Sequence, residues 1–356
     1  MDKSQARLIW ISVAFSTVVL VIVLATTFDT NTLLTILKLN LWFLLLATLL
    51  RVASLLFWAL RIRTMSGSLG YTVKFSHCFN LVIANLLAGA ITPGQAGGEP
   101  VRIHELYRAD VKIGDATAIV LMERVLDGVV LVIMGVLAMV LLESIWRGLN
   151  IALIIGMFVG LAVMIGLIIL LFYSARKPER AKVLLTRIIT WAGTRWKGKT
   201  MQKVVRYADE EMDNFFVSLH RFTTSARKGL IYGTVFTTLF WASEFFVASL
   251  LLLSLAQPPF IAESYLFQLI IAIVMMIPLT PGSSGIAELS ATSLYALIVP
   301  TAVLGLFVIL WRVLLFYFNI VVGLVASLNI FRRELRITNE KNATASDLQI
   351  QENVDE

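Results

Sequence analysis

Cysteine and histidine are scarce in this chain of 356 residues. There is one cysteine, Cys78, and the three histidines are scattered at His77, His104 and His220. A disulfide framework and a thiolate metal cluster are therefore excluded. Neither H-E-x-x-H nor G-x-G-x-x-G occurs, so the sequence gives no basis for zinc hydrolysis or dinucleotide chemistry. We expect no metal and no cofactor.

Charged residues are also few, at 15% of the chain, and one basic segment contains a nucleotide-binding spacing. Residues Gly193 to Thr200, GTRWKGKT, fit the pattern G-x-x-x-x-G-K-[ST]. A working P-loop requires a preceding strand, a following helix and a parallel sheet around them. The soluble segment that holds this match offers no second strand ending in an aspartate. We interpret the match as coincidental and expect no ATP site.

Hydrophobic residues, in contrast, make up 58% of the chain, above the roughly 45–50% of soluble domains. Several stretches are apolar over about 20 residues, which is enough to cross a hydrocarbon core of roughly 30 Å. The six predicted spans are Leu8–Thr27, Leu41–Leu60, Ala116–Leu142, Ile151–Phe172, Leu230–Leu253 and Ala302–Leu328. Two further apolar runs, His77–Ile91 and Tyr265–Leu279, have about 15 residues each and are short for a crossing. The pattern predicts an all-α polytopic membrane protein.

The basic residues lie between the spans in an order that predicts topology. Segments 61–74, 174–228 and 332–336 are basic, and 174–228 alone carries thirteen Lys or Arg against five Asp or Glu. By the positive-inside rule these segments are cytoplasmic, Arg61 included, which places both termini on the inner side of a plasma membrane. The net charge of +7 is therefore interpreted as a topology signal and not as a nucleic-acid site.

The predicted domain organisation is simple. Residues 1–330 form one transmembrane domain, which is interrupted by a soluble insertion at 174–228 and followed by a polar tail at 331–356. The insertion is predicted to form one or two amphipathic helices on the cytoplasmic surface, with Trp191 and Trp196 as interfacial anchors. A solvated charged face is favoured there over a partner site. The polar composition of the tail predicts disorder.

The sequence repeats itself without gaps at an offset of 188 residues. The motif T-P-G-x-x-G at Thr92–Gly97 recurs at Thr280–Gly285, and Arg-Val-Leu at 124–126 recurs at 312–314. The repeat cores cover about 76–139 and 264–327. Because three predicted spans separate the two copies, the second copy is inverted relative to the first. Inverted repeats with broken helices in matching positions are a recurring plan of transporters.

Each T-P-G motif follows one of the short apolar runs. Proline removes a backbone donor and glycine permits turns that other residues resist, so the chain can reverse inside the membrane. Such a turn must be wrapped by protein or line a wet cavity. We therefore predict two re-entrant helical hairpins that enter from opposite faces, with proline-kinked spans as the alternative. The predicted helix-break residues are Pro93, Gly94, Gly97, Pro281, Gly282 and Gly285.

Charged residues at membrane depth gather in and beside the two copies. Glu99 and Glu288 follow the breaks, and Arg124 and Arg312 lie inside predicted spans. An isolated charge at the bilayer centre costs about 2.5–3.5 kcal/mol on insertion scales, so these side chains should face one another or water. We predict a shared polar substrate site, with purely structural ion pairing as the alternative. Its predicted residues are Glu99, Arg102, Arg124, Asp127, Glu288 and Arg312.

Three features of the charge pattern leave more than one interpretation open. Arg51 and Glu244 lie in the middle of the second and fifth spans, where an ion pair between them and a functional role are equally open. Arg124 and Asp127 are spaced i,i+3 on one helix and can pair with each other. Arg102 continues the arm after the first break, and we expect it nearer the cytoplasmic interface.

The motifs TPGQAGGEPVR, ERVLDG and LTPGSSGIAE, in this order, resemble the lysylphosphatidylglycerol synthase transmembrane (flippase-like) family over residues 8–330. The resemblance implies a polytopic protein that acts on lipids, in the best-understood relatives by moving an aminoacylated phospholipid between leaflets. Only a short tail follows the last span, where bifunctional relatives carry a synthase domain, so aminoacyl transfer is not expected. The residues that match the motifs are Pro93, Gly94, Gly97, Gly98, Glu99, Arg102, Glu123, Arg124, Asp127, Pro281, Gly282, Gly285 and Glu288.

The sequence therefore favours a flippase-type translocator of an aminoacylated or anionic lipid over an enzyme. Its two repeats would rock around a central polar cavity, driven by a gradient or merely equilibrating the leaflets. One alternative is a membrane-embedded transferase using a lipid-phosphate donor, with Glu99 or Asp127 as general base beside Arg124. Another is a membrane partner for a separately encoded lipid synthase or glycosyltransferase. Membrane lipids are the expected partners, and a homo-oligomer is open.

Overall fold

The computed structural model describes residues 17, 21, 37–92, 97–141, 151–176, 199–275, 280 and 282–326. This part of the chain is helical and contains no strand. Its helices are α1 Leu41–Ser68, α2 Phe75–Ile91, α3 Gly98–Tyr107, α4 Ile113–Leu141, α5 Ile151–Arg176, α6 Lys199–Thr223, α7 Arg227–Ser254, α8 Ile261–Met275, α9 Ile286–Tyr295 and α10 Thr301–Ala326. Apart from residues 17 and 21, the predicted first span lies outside the described residues, and so do Trp191, Trp196 and the tail.

Three of the described helices are long and apolar enough to cross a membrane: α1, α7 and α10. The chain is thus an integral membrane protein built from helices, as the hydropathy predicts. Helices α4 and α5, of 29 and 26 residues, occupy the positions of the predicted third and fourth spans. Within α10 the hydrogen bonding widens to a π-helical turn at Val313–Tyr317, directly after Arg312. Such turns often occur at functional sites.

The short apolar runs form helices that end where the sequence predicts a break. Helix α2 has 17 residues and ends at Ile91, and α8 has 15 residues and ends at Met275. Each is followed by a break and then by a helix of 10 residues, α3 or α9. At 1.5 Å per residue α2 and α8 are about 25 and 22 Å long, shorter than a hydrocarbon core.

The two breaks contact each other. The backbone N–H of Gly282 donates to the carbonyl of Thr92 over 3.1 Å. Gly282 has φ +57°, and a Cβ atom there would lie 2.5 Å from the carbonyl oxygen of Ala90 and 2.7 Å from the ring of Phe316. Only glycine fits this position, because both the left-handed backbone and the close approach exclude a side chain. The two T-P-G motifs therefore meet in space although they are far apart in sequence.

Each copy of the repeat is enclosed in its own apolar core. The first core is formed mainly by α1, α2, α4 and α6, around Trp58 and Phe222, and Phe240 of α7 contributes to it. The second is formed mainly by α7, α8, α9 and α10, where the rings of Tyr295 and Phe307 pack with centroids 4.2 Å apart. Helices α1 and α7 pack along each other and join the two halves. The breaks and the charged residues lie between these cores.

Helix α6 confirms the amphipathic helix predicted within 174–228, and it is docked on the first half. Phe216, Leu219 and Phe222 are buried. The hydroxyl of Ser218 donates to Asp115 Oδ1 over 2.5 Å, at the start of α4. The apolar residues of α6 pack against α4, and the solvated charged face stays a prediction.

A tyrosine in the loop after α1 holds the same carboxylate. The hydroxyl of Tyr71 donates to the other oxygen of Asp115, Oδ2. Burial, together with this hydrogen bond to a negative charge, raises the pKa of Tyr71 to about 12. Asp115 thus ties the start of α4 to α6 and to the loop after α1, and this fixes the helix that carries Arg124.

Candidate functional site

A cavity of about 690 Å³ lies between the two halves. This volume is within the range of about 300–1,000 Å³ that is typical of ligand sites. Apolar side chains such as Leu86, Val125 and Ile271 form much of its wall, and charged groups are set into it. The charged lining residues are Arg51, Arg61, Glu99, Arg124, Asp127, Glu244 and Arg312.

The first copy of the repeat contributes an ion pair that faces the cavity. Arg124 on α4 donates to Glu99 Oε1 on α3, through Nε over 2.8 Å and also through Nη2. Glu99 and Arg124 are 30% and 35% exposed. The Arg124 Nη1 atom lies 3.7 Å from Asp127 Oδ2, which confirms an i,i+3 ion pair but is beyond hydrogen-bond distance. This pair is accessible to a ligand entering the cavity.

Arg61 is the centre of a buried network behind that pair. It is 1% exposed, and it donates to Glu123 Oε1 over 2.7 Å and to Asp127 Oδ1 over 2.6 Å. Arg61 is thus an internal ion-pair partner, and the cytoplasmic placement of segment 61–74 stays a prediction. Helix α1 continues beyond the predicted end at Leu60 as far as Ser68, because two carboxylates from α4 neutralise the charge of Arg61 inside the protein.

Further donors complete this network. The indole Nε1 of Trp58 donates to Glu123 Oε1, and that of Trp241 donates to Asp127 Oδ1, each over 3.1 Å. Arg102 donates through Nη1 to Glu123 Oε2 over 2.8 Å. Arg102 is completely buried inside the protein, and its expected position nearer the cytoplasmic interface stays a prediction. Glu123 is held by three donors on two other helices, α1 and α3, which makes it a structural anchor of the first copy.

The second copy contains the corresponding pair in a closed setting. Arg312 Nε donates to Glu288 Oε1 over 2.8 Å, and the backbone N–H of Gly285 donates to Oε2 over 2.6 Å. Arg312 Nη2 also donates to the hydroxyl of Ser284 and to the carbonyl of Gly282. Glu288 and Arg312 are 0% and 2% exposed. This pair clamps the second break onto α10.

A third ion pair joins the two long helices α1 and α7. Arg51 and Glu244 are paired, as one of the two sequence interpretations predicts. Ser54 donates to the same carboxylate oxygen, and Arg51 Nη2 donates to Asn319 Oδ1 on α10 over 2.7 Å. Because Arg51 and Glu244 also line the cavity, pairing and a role in the site are compatible.

The charges within this set balance. The arginines are Arg51, Arg61, Arg102, Arg124 and Arg312, and the carboxylates are Glu99, Glu123, Asp127, Glu244 and Glu288. Each arginine has a carboxylate within ion-pair distance, as membrane depth requires. Several buried atoms nevertheless have no hydrogen-bond partner. Those near the first break are Asn85 Oδ1, Glu99 Oε2, Arg102 Nε and Arg102 Nη2.

The structure brings the predicted site residues together around the cavity, although in two separate groups. Glu99, Arg124 and Asp127 line it, Arg102 lies directly behind them, and Glu288 is enclosed within the second break. Of the predicted break residues, Gly97 donates its N–H to Thr92 Oγ1 over 2.9 Å, and Gly282 and Gly285 have positive φ. Pro93, Gly94 and Pro281 lie outside the described residues.

Sequence reasoning missed several polar residues of the cavity, namely Trp58, Arg61, Asn85, Trp241, Gln268 and Asn319. Most of these are uncharged and lie singly in apolar helices, where one polar residue changes the mean hydropathy of the segment only slightly. Arg61 had a detectable signal, since its charge directly follows the last residue of the predicted span Leu41–Leu60. Within the described residues, no group of three or more His, Cys, Asp or Glu is arranged to hold a metal ion.

Comparison with known proteins identifies the family. The family model described as "Lysylphosphatidylglycerol synthase TM region" matches residues 9–323. This chain belongs to that family. A UPF0104 membrane protein of Archaeoglobus fulgidus is 34% identical over 287 residues, which covers 80% of this chain and 86% of the relative. Another, of Methanothermobacter thermautotrophicus, is 22% identical over 270 residues, covering 72% and 74%. No solved structure matches.

Membership of the lysylphosphatidylglycerol synthase transmembrane family confirms the resemblance carried by the two glycine motifs. The matched range contains both breaks, the cavity and every charged residue that lines it. The site described above is therefore part of the region that defines the family.

Proposed function

We propose that this protein is a lipid translocator that moves a lipid with a polar headgroup between leaflets. The observation that carries the proposal is the open Glu99–Arg124 pair in a cavity of about 690 Å³ between the two halves of the protein. Charged groups facing a cavity at membrane depth are costly, and they commonly mark a substrate pathway. The charges that line the cavity suit the polar headgroup of a lipid.

The proposed topology has six spans and two re-entrant hairpins. Helices α2–α3 and α8–α9 have matching lengths, and their breaks meet at the Gly282–Thr92 hydrogen bond. Hairpins that enter from opposite faces meet tip to tip in this way, as an inverted repeat requires. The basic insertion and tail then lie on the cytoplasmic side of the plasma membrane, with both termini.

Transport follows from movement of the two halves against each other. Each half has its own apolar core, and the cavity lies between them, so rocking of one core against the other opens the cavity alternately to each leaflet. The headgroup occupies the cavity while its tails stay in lipid between helices. A separately encoded lipid synthase or glycosyltransferase supplies the lipid, and a homo-oligomer is compatible with this arrangement.

The test is leaflet exchange in liposomes that contain the purified full-length protein. Lipids labelled on an acyl chain with a fluorophore are reduced from outside by dithionite, and the accessible fraction is followed over time. The wild type should exchange the labelled lipid, and Glu99→Gln should lose exchange because the charge pair is broken. The control is Glu105→Gln, on the same helix and outside the cavity lining, which should exchange as the wild type does.

The same preparation separates translocation from chemistry. A lipid extract taken after incubation shows whether the labelled lipid has changed in mass. Exchange of an unchanged lipid supports a translocator, whereas a new lipid product that disappears in Glu99→Gln would indicate a transferase. Exchange at the rate of protein-free vesicles, with every lipid tested, would contradict the proposal.

A further inference from the structure

The first break contains unpartnered polar atoms of both kinds. Asn85 Oδ1 on α2 and Glu99 Oε2 on α3 are acceptors without a donor. They belong to adjacent parts of the hairpin, because a Cβ atom on Gly98 would touch Asn85 Oδ1. Asn85 is 5% exposed, so its oxygen has little access to water. Both side chains line the cavity. A buried acceptor without a donor is costly, and a ligand with N–H groups removes this cost.

Donors with spare capacity lie beside these acceptors. Arg102 Nη2 has no hydrogen-bond partner and lies 3.8 Å from Glu99 Oε1. Arg124 Nη1 is within 3.7 Å of Asp127 Oδ2 but makes no hydrogen bond to it. Arginine presents a planar fork of donors that suits phosphate oxygens. The neighbourhood of Glu99 therefore offers both an anion half-site on arginine and a cation half-site on oxygen atoms.

Charge balance decides which headgroup fits both half-sites. An anion alone that took Arg124 would displace Glu99 and leave the acceptors Asn85 Oδ1 and Glu99 Oε2 unsatisfied. A cation alone that took Glu99 would leave Arg124 without its partner. A headgroup that carries both charges gives each member of the Glu99–Arg124 pair a new partner. Its anion binds Arg124, and its cation binds Glu99. Since the set is neutral without ligand, a zwitterion without net charge is the kind of charged headgroup that keeps it neutral.

We propose that the headgroup bound here is zwitterionic, with a phosphodiester on Arg124 and a primary ammonium on Glu99 Oε2 and Asn85 Oδ1. This assignment rests on the proposed translocation and names its substrate class. A primary ammonium has three N–H donors, whereas a quaternary ammonium has none, so the former alone satisfies the orphaned oxygens. The second copy offers no equivalent, because both oxygens of Glu288 already accept hydrogen bonds.

The experiment compares four acyl-labelled lipids in liposomes with the full-length protein. Phosphatidylethanolamine carries phosphate and primary ammonium, phosphatidylcholine carries phosphate and quaternary ammonium, phosphatidylglycerol carries phosphate alone, and a trimethylammonium lipid carries the cation alone. Phosphatidylethanolamine should exchange at least about tenfold faster than the other three, the factor that one charge-assisted hydrogen bond provides. If phosphatidylglycerol exchanged as fast, the assignment would be overturned. An anion alone would then be sufficient, because Glu99, once displaced from Arg124, would pair with Arg102.

Variants of Asn85 test the cation half-site separately. Asn85→Leu removes the acceptor at nearly constant size and should bring phosphatidylethanolamine to the rate of phosphatidylcholine. The control is Asn80→Leu, the same change on the exposed side of α2, which should keep the preference. Asn85→Asp adds a negative charge and should strengthen the preference, so it serves if Asn85→Leu does not fold. An unchanged preference in a folded Asn85→Leu would overturn the assignment.

A binding measurement distinguishes failure of this inference from failure of translocation. Short-chain forms of the same lipids are added to the protein in detergent, and the unfolding temperature is recorded. Ethanolamine lipid should raise it more than glycerol lipid does, even if no exchange is found in liposomes. Equal stabilisation by the two lipids would refute the zwitterion site, whereas absent exchange with unequal stabilisation would refute translocation alone.

Discussion

In the first copy of the repeat, Glu99 and Arg124 are 30% and 35% exposed, whereas Glu288 and Arg312 in the second copy are 0% and 2% exposed. The pairs have the same chemistry and nearly the same spacing along the chain. Their surroundings differ, because Glu288 also accepts from a backbone N–H of its own break, and Glu99 keeps one oxygen without a partner. Two similar sequence motifs are thus associated with one buried pair, which holds the second break to α10, and one pair that is exposed to the cavity.

The largest effect is expected from opening the closed pair. Glu288→Ala leaves Arg312 as a buried charge, and loss of one partner of a buried ion pair costs about 3–5 kcal/mol of unfolding free energy. Thermal unfolding in detergent, followed by tryptophan fluorescence, should show a lower transition or no folded protein. The matched change in the open pair, Glu99→Ala, should cost much less. Equal losses for both variants would contradict the comparison.

The next effect is expected at the contact between the breaks. Gly282→Ala places a side chain where φ is +57° and the Ala90 carbonyl is too close. A residue other than glycine in such a conformation costs about 1–3 kcal/mol, before any clash is relieved. Gly166→Ala, in open space on α5, is the control and should be neutral or slightly stabilising. An undisturbed unfolding temperature in Gly282→Ala would mean that the breaks do not need this contact.

Removing the open pair should leave stability nearly intact and abolish exchange. Arg124→Gln breaks a half-exposed ion pair, which contributes up to about 1 kcal/mol. Its unfolding temperature should stay close to the wild type while leaflet exchange falls at least about tenfold. Arg124→Lys keeps the charge but lacks the planar fork, so it should recover only part of the rate. Full exchange in Arg124→Gln would show that the open pair has a structural role and is not needed for lipid exchange.

The smallest effect concerns a restraint that only the first copy has. Asp115 holds α4 to Tyr71 and Ser218, and the residue at the equivalent offset in the second copy is Val303. The pKa of Tyr71 is raised to about 12, so the folded state keeps this proton after the unfolded chain has lost it. Stability should fall as the pH rises from about 10 to 12.

The measurement is the unfolding temperature as a function of pH in the wild type and in Tyr71→Phe. The difference between the two proteins should shrink above about pH 10, because only the wild type loses this contribution there. Tyr232→Phe, an exposed tyrosine on α7, is the control and should follow the wild type. Parallel curves for Tyr71→Phe and the wild type would show that the Asp115 contact does not contribute.

The sequence predicted the helical framework well because hydropathy reports it directly. Helix α7 begins and ends within three residues of its prediction, and the short helices α2 and α8 end before the T-P-G motifs as expected. Proline and glycine act on the local backbone, so their effect can be read without knowledge of distant contacts. The same holds for the i,i+3 pair of Arg124 and Asp127.

The choice of partner among the charges could not be predicted. Arg61 pairs with Glu123 and Asp127, more than 60 residues away along the chain, and Arg102 pairs with Glu123 as well. The positive-inside rule treats a basic residue at the end of a span as a topology signal. It does not consider whether a carboxylate on another helix lies nearby. The difference in exposure between the two copies depends on packing around each break, which the shared motif does not encode.

The hydrogen bond from Gly282 to Thr92 also has a consequence for how the protein is made. A ribosome adding about 5–20 residues per second needs about 10–40 s to synthesise the roughly 190 residues between these two positions. During that interval α2, the first break and α3 have been synthesised, yet the second break that contacts them has not. A chain released at the midpoint would therefore carry an unfinished polar surface within the bilayer, a feature that membrane quality control is able to recognise.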